Sequence, residues 1–250
     1  MSDKLEILRV ENVNKSFGDK LVLKDINIKL NKGELVSLVG VSGSGKTTLF
    51  NIIAGLLTPD SGKVYLKGED ITSKAGKVSY MLQKDLLLPY MKIIDNVSLP
   101  LILRGEKKKV AREKVRGLFN DFGLNGYEEK YPAELSGGMA QRAALLRTYV
   151  FSKDVALLDE PFSALDAITK TSIHKWYKSI INEIGISTIF ISHDIEEAVK
   201  LSDRIYILGK NPGTIVDEIE VQENFDENFF EDKKFIEYKK HIIKILDEIV

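Results

Sequence analysis

The sequence predicts an α/β fold in which a parallel sheet is flanked by helices, is preceded by antiparallel strands and is interrupted by a helical insert. The first indication is a short apolar, β-branched run at residues 35–39, followed by a glycine-rich loop and an apolar, helix-like segment at 49–54. The second is a pair of later apolar runs, 155–158 and 188–191, with a helix-like segment between them, because alternating strands and helices favour a parallel sheet. The third is the stretch from residue 84 to about 153, where strand signals vanish and helix-like segments follow.

The bulk composition restricts the class of protein before any motif is considered. The chain has 250 residues, of which 44% are hydrophobic and 29% charged, and its formal net charge of −1 gives no indication of a general nucleic-acid binder. It contains no cysteine, which excludes disulfides and cysteine-ligated metals and favours a reducing cytosol. Residues 1–6 carry charges and lack an apolar stretch, so we expect no secretion signal, and no apolar run is long enough to span a bilayer. We therefore expect any membrane role to come through a partner.

Antiparallel strands are predicted on the amino-terminal side of the insert. The predicted strands before the insert are, in order, 5–15, 21–30, 35–39, 63–68 and 77–82. The first partly alternates apolar with polar side chains, which is typical of a half-exposed strand, and a turn at 17–20 separates it from the second. The last of these strands ends at Gln83.

Helices dominate the insert, and strands return after it. The predicted helices are 94–104, 107–122 and 138–151 in the insert, 168–184 between the later strands, and an amphipathic tail beginning near residue 226. Late strands are predicted at 204–208 and 214–219. Three lysines at 107–109 open one of the helices, which is more typical of a solvated face than of a nucleic-acid or membrane patch.

The glycine-rich loop carries the pattern G-x-x-x-x-G-K-[ST] between a predicted strand and a predicted helix, as a phosphate-binding loop requires. Glycines let the backbone bend tightly and bring its N–H groups close to an anion, and the helix N-terminus adds further N–H groups with a partial positive charge. We expect Lys46 to reach the β- and γ-phosphates of a nucleoside triphosphate and the Thr47 hydroxyl to bind Mg²⁺, with Thr48 a weaker candidate for a phosphate contact. The predicted phosphate-binding residues are Gly40, Ser42, Gly43, Ser44, Gly45, Lys46, Thr47 and Thr48. The alternative, a glycine-rich turn that happens to contain Lys-Thr, is disfavoured by the flanking strand and helix.

Two acidic residues, Asp159 and Glu160, follow the apolar run 155–158. The carboxyl end of a buried strand faces the ligand crevice of an α/β sheet. At that place Asp159 can hold the Mg²⁺ shell, and Glu160 can polarise an attacking water. The alternative is that these are two acids at a surface strand end without a function, which is common in proteins. The phosphate loop earlier in the chain disfavours this alternative.

A second glycine-containing turn, formed by Ser136, Gly137 and Gly138, opens the predicted helix 138–151. Its hydroxyl, its free N–H groups and the helix N-terminus can form another anion site, although an ordinary serine-capped helix would explain this segment if it stood alone.

His193 follows the predicted strand 188–191, where it can contact a γ-phosphate or the attacking water. The other histidines, His174 and His241, fall in predicted helices away from any motif and are interpreted as structural or solvated.

Taken together, six segments resemble, in the right order, the motifs of the ATP-binding subunits of ABC transporters. Residues 40–48 resemble Walker A, Gln83 the Q-loop glutamine, 135–139 the ABC signature, 157–161 Walker B, 163–166 the D-loop, and His193 the switch histidine. Phe17 matches the aromatic position that stacks on adenine, where the family more often has tyrosine.

The resemblance implies an ATP hydrolase that uses ATP and Mg²⁺. Glu160 and His193 are then the catalytic residues, and Thr47, Gln83 and Asp159 are the metal ligands. Two copies sandwich two ATP molecules, so that Ser136, Gly137 and Gly138 of one copy face the ATP held by the phosphate loop of the other.

The resemblance also implies an organisation and a set of partners. An ABC ATPase domain at 1–220 would comprise an α/β core (1–83 and 155–220) and the helical insert (84–154), with a helical tail at 221–250. The expected partners are a second copy of the chain, transmembrane permease subunits and, indirectly, a solute-binding protein, with no nucleic acid. The expected location is cytoplasmic, on the inner face of the cell membrane through the permease.

Finer features resemble the nitrate/sulfonate/taurine group of importers: Met139 after the signature glycines, the segments 88–90 and 95–97, and the segment 211–215. The departures are Lys84, where an acid is frequent, Tyr90, where tryptophan is usual, and 146–149, which replaces a run of small residues. These departures touch no catalytic group.

A soluble ABC ATPase of translation or DNA repair is the main alternative to an importer subunit. Translation types carry two cassettes and repair types carry a long coiled-coil insert, whereas this chain has one cassette and no sustained heptads. A non-hydrolytic nucleotide-binding module would lack Glu160 or His193, and an exporter half is commonly fused to membrane spans. An importer ATPase is therefore the expected function.

Overall fold

The computed structural model describes residues 5–151, 154–163, 167–221 and 232–249. The chain divides into two compact units, one formed by 1–78 with 187–250 and the other by 79–186. Both units combine strands with helices, so the predicted α/β class is confirmed. Residues 164–166 of the predicted D-loop lie outside the described residues.

The strands, in chain order, are β1 (Glu6–Phe17), β2 (Lys20–Asn31), β3 (Leu35–Gly40), β4 (Ser61–Leu66), β5 (Glu69–Asp70), β6 (Ser79–Met81), β7 (Val155–Asp159), β8 (Ser187–Ile191), β9 (Arg204–Leu208) and β10 (Ile215–Glu220). The helices are α1 (Lys46–Ile53), α2 (Ile93–Leu103), α3 (Lys108–Arg116), α4 (Leu118–Asp121), α5 (Gly137–Phe151), α6 (Ala167–Ile184), α7 (Ile195–Leu201) and α8 (Lys233–Ile249). Within the described ranges, no helix is both long and apolar enough to cross a membrane.

The first unit contains two sheets. One is antiparallel, with strand order β2-β1-β4-β5, and its first two strands are the predicted amino-terminal pair. In the other, β3 pairs in parallel with both β8 and β9, and β10 adds an antiparallel edge. All residues of β3, β8 and β9 are buried, which explains why these strands are continuous apolar runs rather than alternating ones.

The second unit consists mainly of helices, as predicted for the insert. Its strands β6 and β7 pair in parallel, with Met81 opposite Leu158. Helix α5 buries one side against the rest of the unit through small and apolar residues such as Ala143, Ala144 and Leu146.

Two helix boundaries differ from the sequence prediction. The single helix predicted at 107–122 is two helices, because Gly117 separates α3 from α4 and glycine weakens a helix interior. The first helix begins at Lys46 rather than at residue 49, because Gly45 adopts a left-handed φ of 102° and lets the helix start directly from the loop.

Helix α7 was not predicted from the sequence. It has only seven residues, and its first turn is capped by the Asp194 carboxylate, which accepts hydrogen bonds from the N–H groups of Glu196 (3.0 Å) and Glu197 (3.2 Å). A local cap thus fixes where this short helix begins, and its buried residues Ala198, Val199 and Leu201 pack it against the core.

Candidate nucleotide-binding and catalytic site

The phosphate loop of the first unit has the conformation that its glycines predict. Gly43 and Gly45 adopt left-handed φ values of 75° and 102°, and α1 begins directly after them, so the loop backbone curves around the helix N-terminus. The Lys46 ammonium donates to the carbonyls of Gly40 (2.7 Å) and Val41 (3.0 Å), which holds it over the loop. This arrangement gathers backbone N–H groups and one cation at a single helix N-terminus, which fits the phosphates of a nucleotide.

A buried hydroxyl in the loop provides an independent test of this fit. Ser44 is 1% exposed, and its Oγ has no hydrogen-bond partner in the described part of the chain. A buried polar atom without a partner costs free energy, so a phosphate oxygen at this position would relieve that cost. The donors present are therefore suited to an anionic ligand.

The loop is supported from behind by two other segments of the first unit. A Cβ on Gly45 would lie 2.7 Å from Leu23 Cδ2 of β2, and the left-handed φ of 102° would strain any side chain, so glycine is favoured where the loop meets this strand. A Cβ on Gly213 would overlap the carbonyl oxygen of Ser44, and the Gly213 N–H donates to the carbonyl of Val22 (2.8 Å). The sequence analysis assigned Gly213 no role at the site, because the contact joins residues distant in the sequence.

His193 lies at the same sheet edge as the start of the phosphate loop. Leu38 of β3 is opposite Ile191 of β8, so Gly40 and His193 each come two residues after a paired position on adjacent parallel strands. The histidine side chain is exposed, as a ligand contact requires.

Phe17 is the last residue of β1, and its side chain is 51% exposed. The Lys15 ammonium lies 5.6 Å from the centroid of its ring. The strand that follows, β2, carries the Leu23 side chain beside Gly45, so the turn that presents Phe17 belongs to the hairpin that backs the loop.

In the second unit, the structure brings Gln83 and Glu160 together. Gln83 Nε2 donates to Glu160 Oε2 at 2.7 Å, because both residues come two positions after the paired Met81 and Leu158. Glu160 has a left-handed φ of 48°, a conformation that is uncommon outside glycine and is often found at functional sites. The sequence analysis selected both residues but did not predict their hydrogen bond.

Asp159 ends β7 with 9% exposure, and Tyr80 of β6 lies beside it. The Tyr80 hydroxyl is 3.5 Å from Asp159 Oδ2. Burial and then the Asp159 charge raise the pKa of Tyr80, so its phenol stays protonated and can donate to this carboxylate. Tyr80 is a residue that the motif analysis missed, since no motif includes it.

The residues predicted to bind Mg²⁺ are distributed over both units. Thr47 belongs to the first unit, and Gln83 and Asp159 belong to the second. Hydroxyl, amide and carboxylate oxygens are the ligand types that this hard cation prefers. Each of the three side chains therefore carries an oxygen of a type that suits this ion.

The second glycine turn caps α5 of the second unit. Ser136 Oγ accepts a hydrogen bond from the N–H of Met139 (3.3 Å), and the Ser136 carbonyl accepts one from Ala140 (2.9 Å), as in an ordinary N-cap. A Cβ on Gly137 would meet nothing within 4 Å, so the start of the helix is open on this side. The alternative of a serine-capped helix is thus correct locally, and it leaves room for an anion at the same helix end.

Comparison with known proteins gives the family. Residues 23–163, more than half of the chain, match the family described as ABC transporter. The chain therefore belongs to the ABC transporter family, and it is an ATP-binding ABC-type ATPase.

Relatives of known name support this assignment. The chain is 43% identical over 208 residues to the formylaminopyrimidine import ATP-binding protein ThiZ of Halalkalibacterium halodurans. The matched region covers 83% of this chain and 81% of the relative. It is 42% identical over 208 residues to the sulfate/thiosulfate import ATP-binding protein CysA of the same organism. The matched region covers 80% of this chain but only 58% of that relative. The chain thus spans little more than half the length of that second relative.

Solved structures support the fold. The dimeric bacterial ABC transporter cassette MJ0796 superposes with a TM-score of 0.74 and 29% identity, over 87% of this chain and 100% of the cassette. The ADP conformation of the cassette MJ1267 superposes with a TM-score of 0.77 and 27% identity, over 94% of this chain and 98% of that cassette. The predicted ABC ATPase fold is therefore confirmed.

Proposed function

We propose that this chain is the ATP-hydrolysing subunit of an importer and that it powers uptake of a small solute through a separate permease. The proposed solute is nitrate, a sulfonate, taurine or a related small molecule. The import names of the relatives support the import function, and the segment 211–215 supports the choice of group. A soluble ABC ATPase without a transport role is the alternative.

The observation that carries the hydrolytic part of this proposal is the hydrogen bond between Gln83 and Glu160. The amide of Gln83 holds one carboxylate oxygen of Glu160 at 2.7 Å and fixes the side chain in one orientation. A carboxylate held in this way can orient and deprotonate a water as a general base. His193, at the carboxyl edge of the first unit's sheet, is proposed to contact the γ-phosphate.

The phosphate loop is proposed to hold ATP through its N–H groups, the Ser42 and Ser44 hydroxyls and the Lys46 ammonium, with Phe17 against the adenine. Thr47, Gln83 and Asp159 are the proposed ligands of Mg²⁺, which neutralises charge on the β- and γ-phosphates when bound. Tyr80 keeps the Asp159 carboxylate oriented through its hydroxyl. Each of these tasks is binding or orientation, which is the main way proteins promote phosphoryl transfer.

The proposed assembly is an ATP-sandwich homodimer on transmembrane permease subunits, with a solute-binding protein as an indirect partner and no nucleic acid. The proposed location is the inner face of the cell membrane. In the proposed division, the core comprises 1–83 and 155–220, the insert 84–154 and the tail 221–250. Gln83 is then the last core residue before the insert that would contact the permease.

ATP hydrolysis by purified variants tests the enzymatic part. We expect Lys46→Ala to lower ATP affinity at least about tenfold, or about 1.4 kcal/mol, and to abolish turnover, because the cation of the loop is lost. Lys32→Ala is the matched control for Lys46→Ala, because it removes an exposed lysine from a turn of the unit that contains the phosphate loop.

We expect Glu160→Gln to bind ATP normally but to hydrolyse it at least about a hundredfold more slowly, because the general base is lost. Turnover near the parent rate in Glu160→Gln would show that another carboxylate is the base.

Purification of the tagged chain from its native membrane tests the transport part. We expect permease subunits and a solute-binding protein to accompany it, and mass spectrometry of the captured binding protein then identifies the solute. Recovery of the chain in the soluble fraction without a membrane protein would favour the alternative function.

A further inference from the structure

The carboxyl-terminal helix α8 packs into the same buried cluster as two elements of the candidate site. Phe235 (1% exposed) and Ile242 (0%) of α8 share this cluster with Val39, the residue before the phosphate loop, and with Ala198 and Val199 of α7. The first unit thus contains a continuous apolar contact from α8 to the start of the loop and to the helix that follows His193. Buried apolar clusters of this kind transmit displacement because they are densely packed.

Polar contacts also join α8 to the rest of the first unit. The Tyr238 hydroxyl donates to the carbonyl of Glu220 (3.3 Å), and two contacts with acidic side chains form separate tethers. One is an ion pair between Lys239 and Glu196, which lies in the first turn of α7. The other joins His241 Nε2 to Asp217 Oδ2 of β10 at 2.7 Å, and this pair does not involve α7. The two tethers come from the same helix but end on different elements.

The first tether leads directly to His193. Lys239 holds the Glu196 carboxylate, and the backbone N–H of Glu196 donates to the Asp194 carboxylate at 3.0 Å. Asp194 is the cap of α7 and the next residue in the chain after His193. A shift of the first turn of α7 therefore moves the backbone that carries the histidine.

We infer that α8 positions the catalytic histidine and that Lys239 is a positioning residue for ATP hydrolysis. This inference rests on the proposed role of His193. Lys239 touches neither ATP nor the reacting atoms, and it acts by fixing the first turn of α7. The pair is about one-third exposed, with side-chain exposures of 38% and 36%, so its direct contribution to stability is small. Its effect on rate can be larger, because a misplacement of about 1 Å in an active site can cost about a hundredfold.

Kinetics of the full-length chain give the first test. We expect Lys239→Gln to lower kcat for ATP about threefold to tenfold, with KM changed less than about twofold, while Lys239→Arg keeps the parent rate because it preserves the ion pair. Asp217→Asn is the matched control, since it removes the carboxylate charge from the tether that ends on β10. We expect the control to show the same small change in melting temperature as Lys239→Gln and an unchanged kcat.

Imidazole NMR signals give the second test, which does not depend on catalysis. The chain has three histidines, so the signals of His174, His193 and His241 can be assigned by substituting each in turn. We expect Lys239→Gln to shift the His193 signal and leave that of His174 in place. Asp217→Asn should shift only the His241 signal.

The outcomes separate this inference from the proposed function. If His193→Ala loses turnover while Lys239→Gln changes neither kcat nor the His193 signal, the positioning role is wrong and the catalytic role of His193 stands. If His193→Ala hydrolyses ATP at the parent rate, the catalytic role is wrong, whatever the NMR signals show. An equal loss of kcat in Asp217→Asn and Lys239→Gln would show that α8 only stabilises the unit in general. That result would also overturn the inference.

Discussion

At the scale of single residues, Gly213 shows how tightly the phosphate loop is supported. Its backbone N–H and carbonyl bond to Val22 (2.8 Å) and Lys24 (2.9 Å), while its α-carbon lies against the carbonyl of Ser44. A side chain at this position has no space, because the obstructing atoms are backbone and cannot rotate away. The loop conformation is thus fixed partly by a residue far from it in the sequence.

We expect Gly213→Ala to displace the loop backbone at Ser44. ATP affinity should fall about tenfold, and the free energy of unfolding should fall by about 1–3 kcal/mol, the usual cost of an added methyl group in a packed site. Calorimetry with ATP and thermal unfolding measure the two effects. Gly117→Ala is the control, because its φ of −62° suits alanine and its Cβ would meet nothing within 4 Å. Equal ATP affinity in the two variants would contradict the support that we assign to Gly213.

Sequence analysis could identify a site residue only where that residue belongs to a local pattern. Glu160 was found because it follows an apolar strand, and Gln83 was found because it resembles the Q-loop glutamine of the family. Their hydrogen bond follows from the parallel pairing of the strands that precede them. Tyr80 and Gly213 were not found, because their roles arise from contacts between distant segments, which no spacing within one segment reveals.

At the scale of secondary-structure elements, an ion pair joins α2 to α3 in the second unit. Arg112 donates from Nε and Nη2 to the two oxygens of Asp95 at 2.8 and 2.7 Å, and Lys108 Nζ lies 3.1 Å from the same carboxylate. The Asp95 side chain is only 7% exposed, so this bidentate pair is better protected from solvent than the surrounding surface pairs. The hydrogen bonds from Arg112 lower the pKa of Asp95 below its ordinary value of 3.8, although partial burial opposes them.

We expect Asp95→Asn to lower the free energy of unfolding by about 1–3 kcal/mol at neutral pH, because charge-assisted hydrogen bonds to Arg112 are lost. A carboxyl whose pKa is depressed on folding stabilises the protein above its unfolded pKa, and that contribution is lost as the pH falls through the folded pKa. The difference between parent and variant should therefore be constant from pH 7 to about 5 and shrink below about 4. Urea unfolding at several pH values measures it.

Glu134→Gln serves as the control for this measurement. The Glu134 side chain is 43% exposed in its pair with Lys130, which does not include Arg112, so we expect this change to lower the free energy of unfolding less than Asp95→Asn does. A difference between parent and Asp95→Asn that persists unchanged at pH 3 would show that the charge of Asp95 is not the cause.

Prediction of elements from the sequence worked where an apolar run is continuous, and it failed where a local interruption ends an element. The buried strands β3, β8 and β9 were predicted because their apolar runs are continuous. The apolar spacing of residues 107–122 continues across Gly117, so periodicity alone could not reveal the break between α3 and α4. Helix α7 was missed because its seven residues span only about two turns, which is too short for a period to be recognised.

At the scale of the whole molecule, the ion pair of Glu34 with Arg204 shows how the sheet of the first unit is fastened. Arg204 Nη2 donates to both oxygens of Glu34 at 2.6 and 2.7 Å, and Nη1 donates to Glu218 at 2.7 Å. Burial lowers the pKa of Arg204, but its hydrogen bonds to the two carboxylates outweigh burial and raise it overall, so the guanidinium stays charged. The carboxylate that precedes β3 is thereby tied to the start of β9, and β9 in turn to β10.

The turn formed by Ser136 and Gly137 presents an open surface. Both residues are exposed, and a Cβ on Gly137 would meet nothing within 4 Å in the described part of the chain. The residue pattern alone predicts an anion site at this turn, and only the resemblance to the family predicts that its partner is a second copy of the chain. The solved dimer of a related cassette supports a second copy as that partner.

We therefore expect Ser136→Arg to abolish ATP hydrolysis and ATP-dependent dimerisation while the monomer still binds ATP with nearly the parent affinity. The reason is that a bulky cation at the open helix end would prevent a second copy from approaching, whereas the phosphate loop of the same copy is unchanged. Size exclusion with ATP measures the dimer fraction, calorimetry measures binding, and Glu160→Gln provides a hydrolysis-deficient background in which the dimer accumulates. Asn125→Arg is the control, because it adds the same cation to an exposed loop of the same unit. Loss of ATP binding by the Ser136→Arg monomer would mean that the signature serves the nucleotide of its own chain, and the two-copy sandwich would then have to be abandoned.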